Sequence, residues 1–328
     1  MKMRISLLAF FMAILLTLLC LRFCSVFAVA GNGFDLTRTS IPAEEILLGG
    51  PPKDGIPSID KPKFELGESV TWLKDEQQVL SLTIDGVTKA YPIAILDWHE
   101  IVNDNIAGKD VVISYCPLCG TGMGFTAEAR GRSLKFGVSG LLYNSDVLLY
   151  DRQTQSLWSQ LKSEAVSGSM QGEVLEMLPL HQMTWARWKS TYKEGLVLSR
   201  DTGHLRDYSN SPYGRYDESP VIYFPVEFLS QTYHPKERVL GVEIDGKFKA
   251  YPFAELAKYG GDRVVDRFNG AKLEIHFDAM SRTGRVVRLG KETGESGSTF
   301  DSKVIPAVNA FWFAWFTFHP ETGVFKSP

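Results

Sequence analysis

Val79–Leu96 reads VLSLTIDGVTKAYPIAIL, and Val239–Leu256 reads VLGVEIDGKFKAYPFAEL. Eleven of these eighteen aligned positions are identical. In both stretches apolar and polar residues alternate around an Asp-Gly pair, which predicts a tight β-hairpin. Each then reaches Tyr-Pro, and proline is favoured at the first position of a helix. The likeness continues downstream. ISYCPLCGTG (Ile113–Gly122) falls on IHFDAMSRTG (Ile275–Gly284), and WARWKSTYKEGLVL (Trp185–Leu198) falls on WFAWFTFHPETGVF (Trp312–Phe325). Three landmarks in one order predict two copies of one module.

The copies are unequal. The first contains SGLLYNSDVLLYDRQTQSLWSQL (Ser139–Leu161), and the second has no stretch of that length to match it. Asp278 and Ser281 stand where the first copy has Cys116 and Cys119, so the second copy is degenerate. Short β-branched and aromatic runs punctuated by Gly, Asn and Asp are strands. Helices are few: one from Pro92 through IAILDWHEIVN, one after the capping residue Thr184, and one over AVNAFWFAWFTF, which is too short to span a bilayer. The fold class is therefore α+β, β-rich and internally duplicated. The expected organisation is a leader (1–30), an extended N-terminal segment (31–69), a first copy (70–200), a connector (201–238) and a second copy (239–328). GKETGESGSTFDSK (Gly290–Lys303) reads as a mobile polar loop.

The only cysteines outside the first thirty residues are Cys116 and Cys119, in VVISYCPLCGTGMGF. Haem attachment needs His directly after the second Cys, and Gly120 stands there. A thioredoxin-like pair opens a helix, but Gly120, Gly122 and Gly124 follow, and each glycine disfavours helix by about 1 kcal/mol relative to alanine. Strand, Cys-Pro-x-Cys-Gly, then glycine-rich backbone is the pattern of a metal knuckle. Pro117 fixes φ and Gly120 permits φ > 0, so both sulfurs turn to one side. Zinc, copper and iron all accept thiolates. His99 is the expected third ligand, on a helical face with Ile95, Leu96 and Val102, and Glu100 and Asp104 are expected to orient its ring. The alternatives are a dithiol–disulfide exchange site and a structural disulfide in a non-enzymatic binding or scaffold module. Whether the chain is an enzyme stays open.

Composition narrows the partners. The 328 residues are 44% hydrophobic and 22% charged, with a formal net charge of −3. No basic cluster answers nucleic acid, and no phosphate loop answers a nucleotide. A small-molecule ligand between the copies is the expected partner. Lys2 and Arg4, an apolar run from Ile5 to Leu21, and Ala28 and Ala30 at the end of SVFAVA read as an export signal, giving a periplasmic or extracellular location. The alternative is an uncleaved N-terminal membrane anchor.

GGPPKDGIP, YPIAILDWHEIVND, ISYCPLCGTGMGF, FGVSGLLYNSDVLLYDRQTQSLWSQL and TWARWKSTY together resemble the family catalogued as domain of unknown function number 3179. The resemblance covers most of the chain after residue 40 and carries no activity. It marks Cys116, Pro117, Cys119 and Gly120 as the hallmark. It also places His99, Tyr143, Asn144, Asp151 and Trp158 within matched stretches, the last four as pocket-lining candidates or as turn and core residues.

Overall fold

The computed structural model describes residues 31–290 and 302–328. Both Asp-Gly pairs form the turns expected of them. Asp85 and Gly86 take φ of 47° and 82°, and Asp245 and Gly246 take 49° and 74°, a doubly left-handed turn whose twist suits a two-residue hairpin. The first joins β1 (Gln78–Ile84) to β2 (Val87–Pro92). Helix α1 (Ile93–His99) follows, then the meander β3 (Ile101–Ile106), β4 (Lys109–Cys116) and β5 (Thr121–Thr126). A second hairpin, β6 (Phe136–Tyr143) and β7 (Asp146–Asp151), leads to β8 (Leu157–Ser159) and, later, α2 (Trp185–Thr191).

The second segment opens with the hairpin β9 (Arg238–Ile244) and β10 (Lys247–Pro252), then α3 (Phe253–Tyr259). A meander follows, β11 (Arg263–Phe268), β12 (Ala271–Asp278) and β13 (Thr283–Leu289), and the chain closes with β14 (Val308–Phe311), α4 (Trp312–Phe318) and a short strand at Gly323–Val324. With four α-helices among the described residues and strands throughout, the fold is α+β and strand-rich.

Two helix expectations need correction. The first helix was expected to run on to Asn103, but it stops at Glu100, whose φ of 56° leaves the helical region. Ile101 and Val102 instead pair with Ser114 and Ile113 in β3–β4, where both are buried. A β-branched pair loses little in a strand and much in a helix. Val102 therefore does not share a helical face with His99. The aromatic run near the C-terminus likewise begins as strand β14, and only Trp312–Phe318 is helical.

Membrane attachment is corrected too. No helix among the described residues is long and apolar enough to cross a membrane, so the membrane-anchored alternative receives no support from them. The leader, residues 1–30, lies outside the described residues, as does most of the expected mobile loop (291–301).

The two segments meet in one eight-stranded sheet. Its order is Gly323–Val324, β10, β9, β14, β5, β4, β3, with Met177–Leu178 beside β5. At the seam Asn309 of β14 pairs with Gly122 of β5, and Phe311 N–H donates to Cys119 O at 2.9 Å. The cysteine turn thus lies where the halves join, within a core that also holds Phe136, Trp158, Phe311 and Phe313.

Candidate metal centre

Two hairpin tips build the site. Cys116 is the last residue of β4 and pairs with Thr121 across the β4–β5 turn. Pro117 and Leu118 make that turn, and Gly120 closes it at φ 60°. A Cβ on Gly120 would stand 2.8 Å from the Phe311 ring and 3.0 Å from an Arg238 nitrogen, so both conformation and space require glycine. The facing tip is the β6–β7 turn, where Asn144 and Ser145 take φ of 51° and 63°. It brings Ser145 O to 3.3 Å from Cys119 Sγ and 3.7 Å from Cys116 Sγ. The next residue, Asp146, opens β7 with its carboxylate beside both sulfurs. One oxygen of Asp146 and the two Sγ atoms all lie within 4.8 Å of one another.

All three side chains are buried, Cys116 at 1% exposure and the other two at 0%. Both cysteines are free. Asp146 Oδ2 accepts from Leu161 N–H at 2.9 Å, whereas Oδ1 has no N–H or O–H donor. Burial pushes the Asp146 carboxyl up to about 7, against the opposing pull of the Leu161 and Val147 N–H groups and the two thiols. Burial, and then the neighbouring Cys116 and Asp146, push the Cys119 thiol well above its usual range. Without a cation Asp146 and Cys119 therefore favour their protonated forms. A bound divalent ion reverses that preference, because its charge stabilises thiolate and carboxylate together.

The connector between the segments covers this region. Ser145 Oγ donates to Phe224 O at 2.7 Å, and Asn144 Oδ1 accepts from Glu227 N–H at 2.7 Å. Lys236 Nζ lies 3.1 Å above the Tyr216 ring and donates to Tyr216 O and Val221 O. Burial lowers its amine to about 8, although Asp217 and Cys119 draw the other way.

The other expected site residues lie elsewhere. His99 is fully buried, and both its ring nitrogens are occupied. Nδ1 is 2.7 Å from Pro57 O, and a carbonyl only accepts, so Nδ1 carries the proton. Nε2 then accepts from the Tyr208 hydroxyl at 2.7 Å. No lone pair remains for a metal, and the third ligand-type group beside the sulfurs is Asp146. Burial lowers the His99 ring to about 4, so it is neutral. Neither proposed orienting residue bonds to it. Glu100 accepts from Tyr213 OH at 3.0 Å, and burial raises its carboxyl to about 7. Asp104 pairs with Lys89 at 2.8 Å and accepts from Tyr91 OH.

Asn144 stands in the turn over the sulfurs, and the other pocket candidates engage neighbouring side chains. Asp151 accepts from the Thr154 hydroxyl at 2.7 Å and from Trp158 Nε1 at 3.0 Å. Trp158 packs edge-on against Phe136, and Tyr143 packs edge-on against Phe318. Asp146 escaped the sequence reading. Its one signal is a carboxylate between a turn dipeptide and the apolar run VLLY, where a solvated charge has no natural place.

Fold and centre together define a class: a strand-rich α+β protein in which two thiols and a carboxylate form a buried group able to hold a metal ion. The chain matches, over residues 53–322, the family described as "Protein of unknown function (DUF3179)", and it belongs to that family. Neither a curated protein nor a solved structure matches it.

Proposed function

We propose that the chain is a metalloprotein whose centre is held by Cys116, Cys119 and Asp146. One observation carries the reading. A fully buried carboxylate, its Oδ1 without an N–H or O–H donor, stands in reach of two free buried thiols. With only thiol protons beside it, that oxygen is poorly satisfied, at a cost of up to about 1–3 kcal/mol; as a ligand it is satisfied. Two soft sulfurs with one hard oxygen suit Zn²⁺ or Fe²⁺ better than Cu(I), which prefers sulfur alone. Zinc is the first choice, being commonly four-coordinate with sulfur and oxygen donors. Three protein ligands leave one position for a water or substrate, the arrangement of a catalytic rather than a structural centre, and a bound metal there supplies Lewis acidity.

The deciding experiment is elemental analysis of the purified full-length protein. The expected result is about one zinc per chain, abolished by joint replacement of Cys116 and Cys119 with serine in a protein that still folds. Protein that is isolated without metal and takes up neither Zn²⁺ nor Fe²⁺ on titration refutes the reading.

Thiol–disulfide exchange is the second reading, and one observation favours it. The Asp146 carboxyl, raised to about 7, stands beside Cys119 where it can accept a thiol proton. Burial of both sulfurs opposes it, because exchange requires the attacking sulfur to reach a partner disulfide. Resistance of the native thiols to alkylation eliminates this reading.

We also infer that 70–200 and 239–328 are copies of one module joined by 201–238. Matching element order supports this: hairpin, helix, three-stranded meander, strand, helix, strand. Register supports it too, since Val79↔Pro92 through Ile84↔Val87 recurs as Val239↔Pro252 through Ile244↔Lys247. In this view the second copy traded its thiols for Asp278 and Ser281 and supports the first copy at the seam. Separately expressed 70–200 that folds cooperatively and keeps its metal without the second copy would argue against that supporting role.

A further inference from the structure

A cavity of about 490 Å³ opens between the segments, and Pro117, inside the cysteine turn, forms part of its wall. Its charged groups are Arg238 and Arg282 on one side of the account and Glu76, Asp97 and Asp217 on the other. Neither arginine forms an ion pair among the described residues. Arg238 is fixed by neutral partners instead. Its Nη1 donates to Gly120 O at 2.6 Å and to Asn309 Oδ1 at 3.4 Å, and its guanidinium stacks 4.5 Å from the Phe311 centroid. Burial lowers its basicity and the like charge of Arg282 lowers it further, while Tyr115 and Asp217 pull the other way. Asp97 is equally unneutralised. Burial raises its carboxyl to about 6, eased by the Ser211 hydroxyl and worsened by Asp217. Gln78 and Gln182, also in the wall, each leave a side-chain oxygen without a donor, a deficit that an occupant carrying donors removes.

Arg238 and Arg282 oppose each other's charge, and Asp217 offsets this for Arg238 from a distance, without an ion pair, so an anion received between the two guanidinium groups is favourable. A planar guanidinium matches a carboxylate in two parallel hydrogen bonds, and stacking holds Arg238 in place before the ligand arrives. The volume falls in the range of small-ligand sites, roughly 300–1,000 Å³, and exceeds what a lone inorganic ion fills. We propose that this cavity binds a small organic acid, its carboxylate received by Arg238 and Arg282 and its polar remainder facing Asp97. The site goes beyond the metal reading and does not depend on it. Because Pro117 belongs to both, an occupant would lie against the turn that carries the sulfurs.

The test is calorimetric titration of the full-length protein, stripped of metal by a chelator and dialysed, with gluconate, one carboxylate on a chain of hydroxyl donors, as the probe. The expected result is saturable binding, absent for potassium chloride at equal ionic strength and weaker for inorganic phosphate. Arg282 lies exposed on a turn, so Arg282→Gln is expected to fold, and it should weaken gluconate binding roughly ten- to a hundredfold, the loss expected of a charged hydrogen-bonding group. Arg282→Lys, which keeps the charge and loses the fork, should fall between. Three results each overturn the proposal: heat that tracks ionic strength alone, gluconate affinity unchanged in Arg282→Gln, or phosphate bound more tightly than gluconate. Because the protein is metal-free throughout, loss of the metal reading leaves this outcome untouched.

Discussion

Replacing Asp146 with asparagine should move metal affinity and metal-free stability in opposite directions. The substitution keeps the side chain's shape and the acceptor for Leu161 N–H and removes the charge. In the metal-free protein the carboxyl sits at about 7 instead of 3.8, a difference of about 3 pK units, or about 4 kcal/mol at a pH above both values. A raised carboxyl contributes stability that is complete below its unfolded value and is lost as pH rises through the folded one. The wild type therefore bears this cost progressively between about pH 4 and pH 8, and the variant does not. Asparagine's own N–H₂ faces sulfurs, which are poor acceptors, so about 1–3 kcal/mol of net stabilisation is expected near pH 8. The variant-minus-wild-type difference should grow by roughly 2–3 kcal/mol from about pH 5 to about pH 8. Urea unfolding of reduced, chelator-treated protein measures this, and other titrating groups cancel in the difference. Zinc affinity, read by competition with a chromophoric chelator, should fall more than about a hundredfold, because loss even of a residue that only orients a ligand costs about 10–100-fold. A variant that is less stable without metal near pH 8, or one that binds zinc as the wild type does, refutes the assignment of Asp146.

His99→Gln should leave zinc stoichiometry unchanged while lowering the unfolding midpoint, since both ring nitrogens serve Pro57 and Tyr208; metal loss in a folded variant would show that His99 is a ligand. The same ring, lowered to about 4 by burial, is a group whose contribution is present above its unfolded value near 6.5 and disappears as pH falls toward 4. Up to about 3 kcal/mol should be lost across that interval in wild type and not in His99→Gln, by urea midpoints at each pH. Gly120→Ala should destabilise by about 1–3 kcal/mol, because the residue holds φ 60° and its Cβ meets Phe311 at 2.8 Å; an unchanged melting temperature would mean that the turn relaxes freely.

Much of the local structure was legible in the sequence because its causes are local. Asp-Gly specifies a left-handed two-residue turn wherever it falls between alternating strands. Thr184 capped α2 as its chemistry suggests, accepting from Arg187 N–H. Cys-Pro-x-Cys-Gly turned both sulfurs to one side, since Pro117 and Gly120 set their own backbone angles. The length of α1 was less legible. Helical periodicity ran on through Ile101 and Val102, but pairing with Ser114 and Ile113 of β4 claimed both residues, and hydrogen bonding to a strand that far downstream does not register in a local pattern.

The site divides along the same line. From the sequence alone came the dithiol, its turn and the absence of a haem signature, all properties of residues within a few positions of one another. The third ligand-type group came only with the tertiary structure. Asp146 reaches the sulfurs because the β6–β7 hairpin delivers its tip to theirs, while His99, nearer in sequence, faces Pro57 and Tyr208. Proximity in sequence constrains a side chain's direction only over a turn or two of backbone; beyond that, packing of whole strands decides which chemical groups meet.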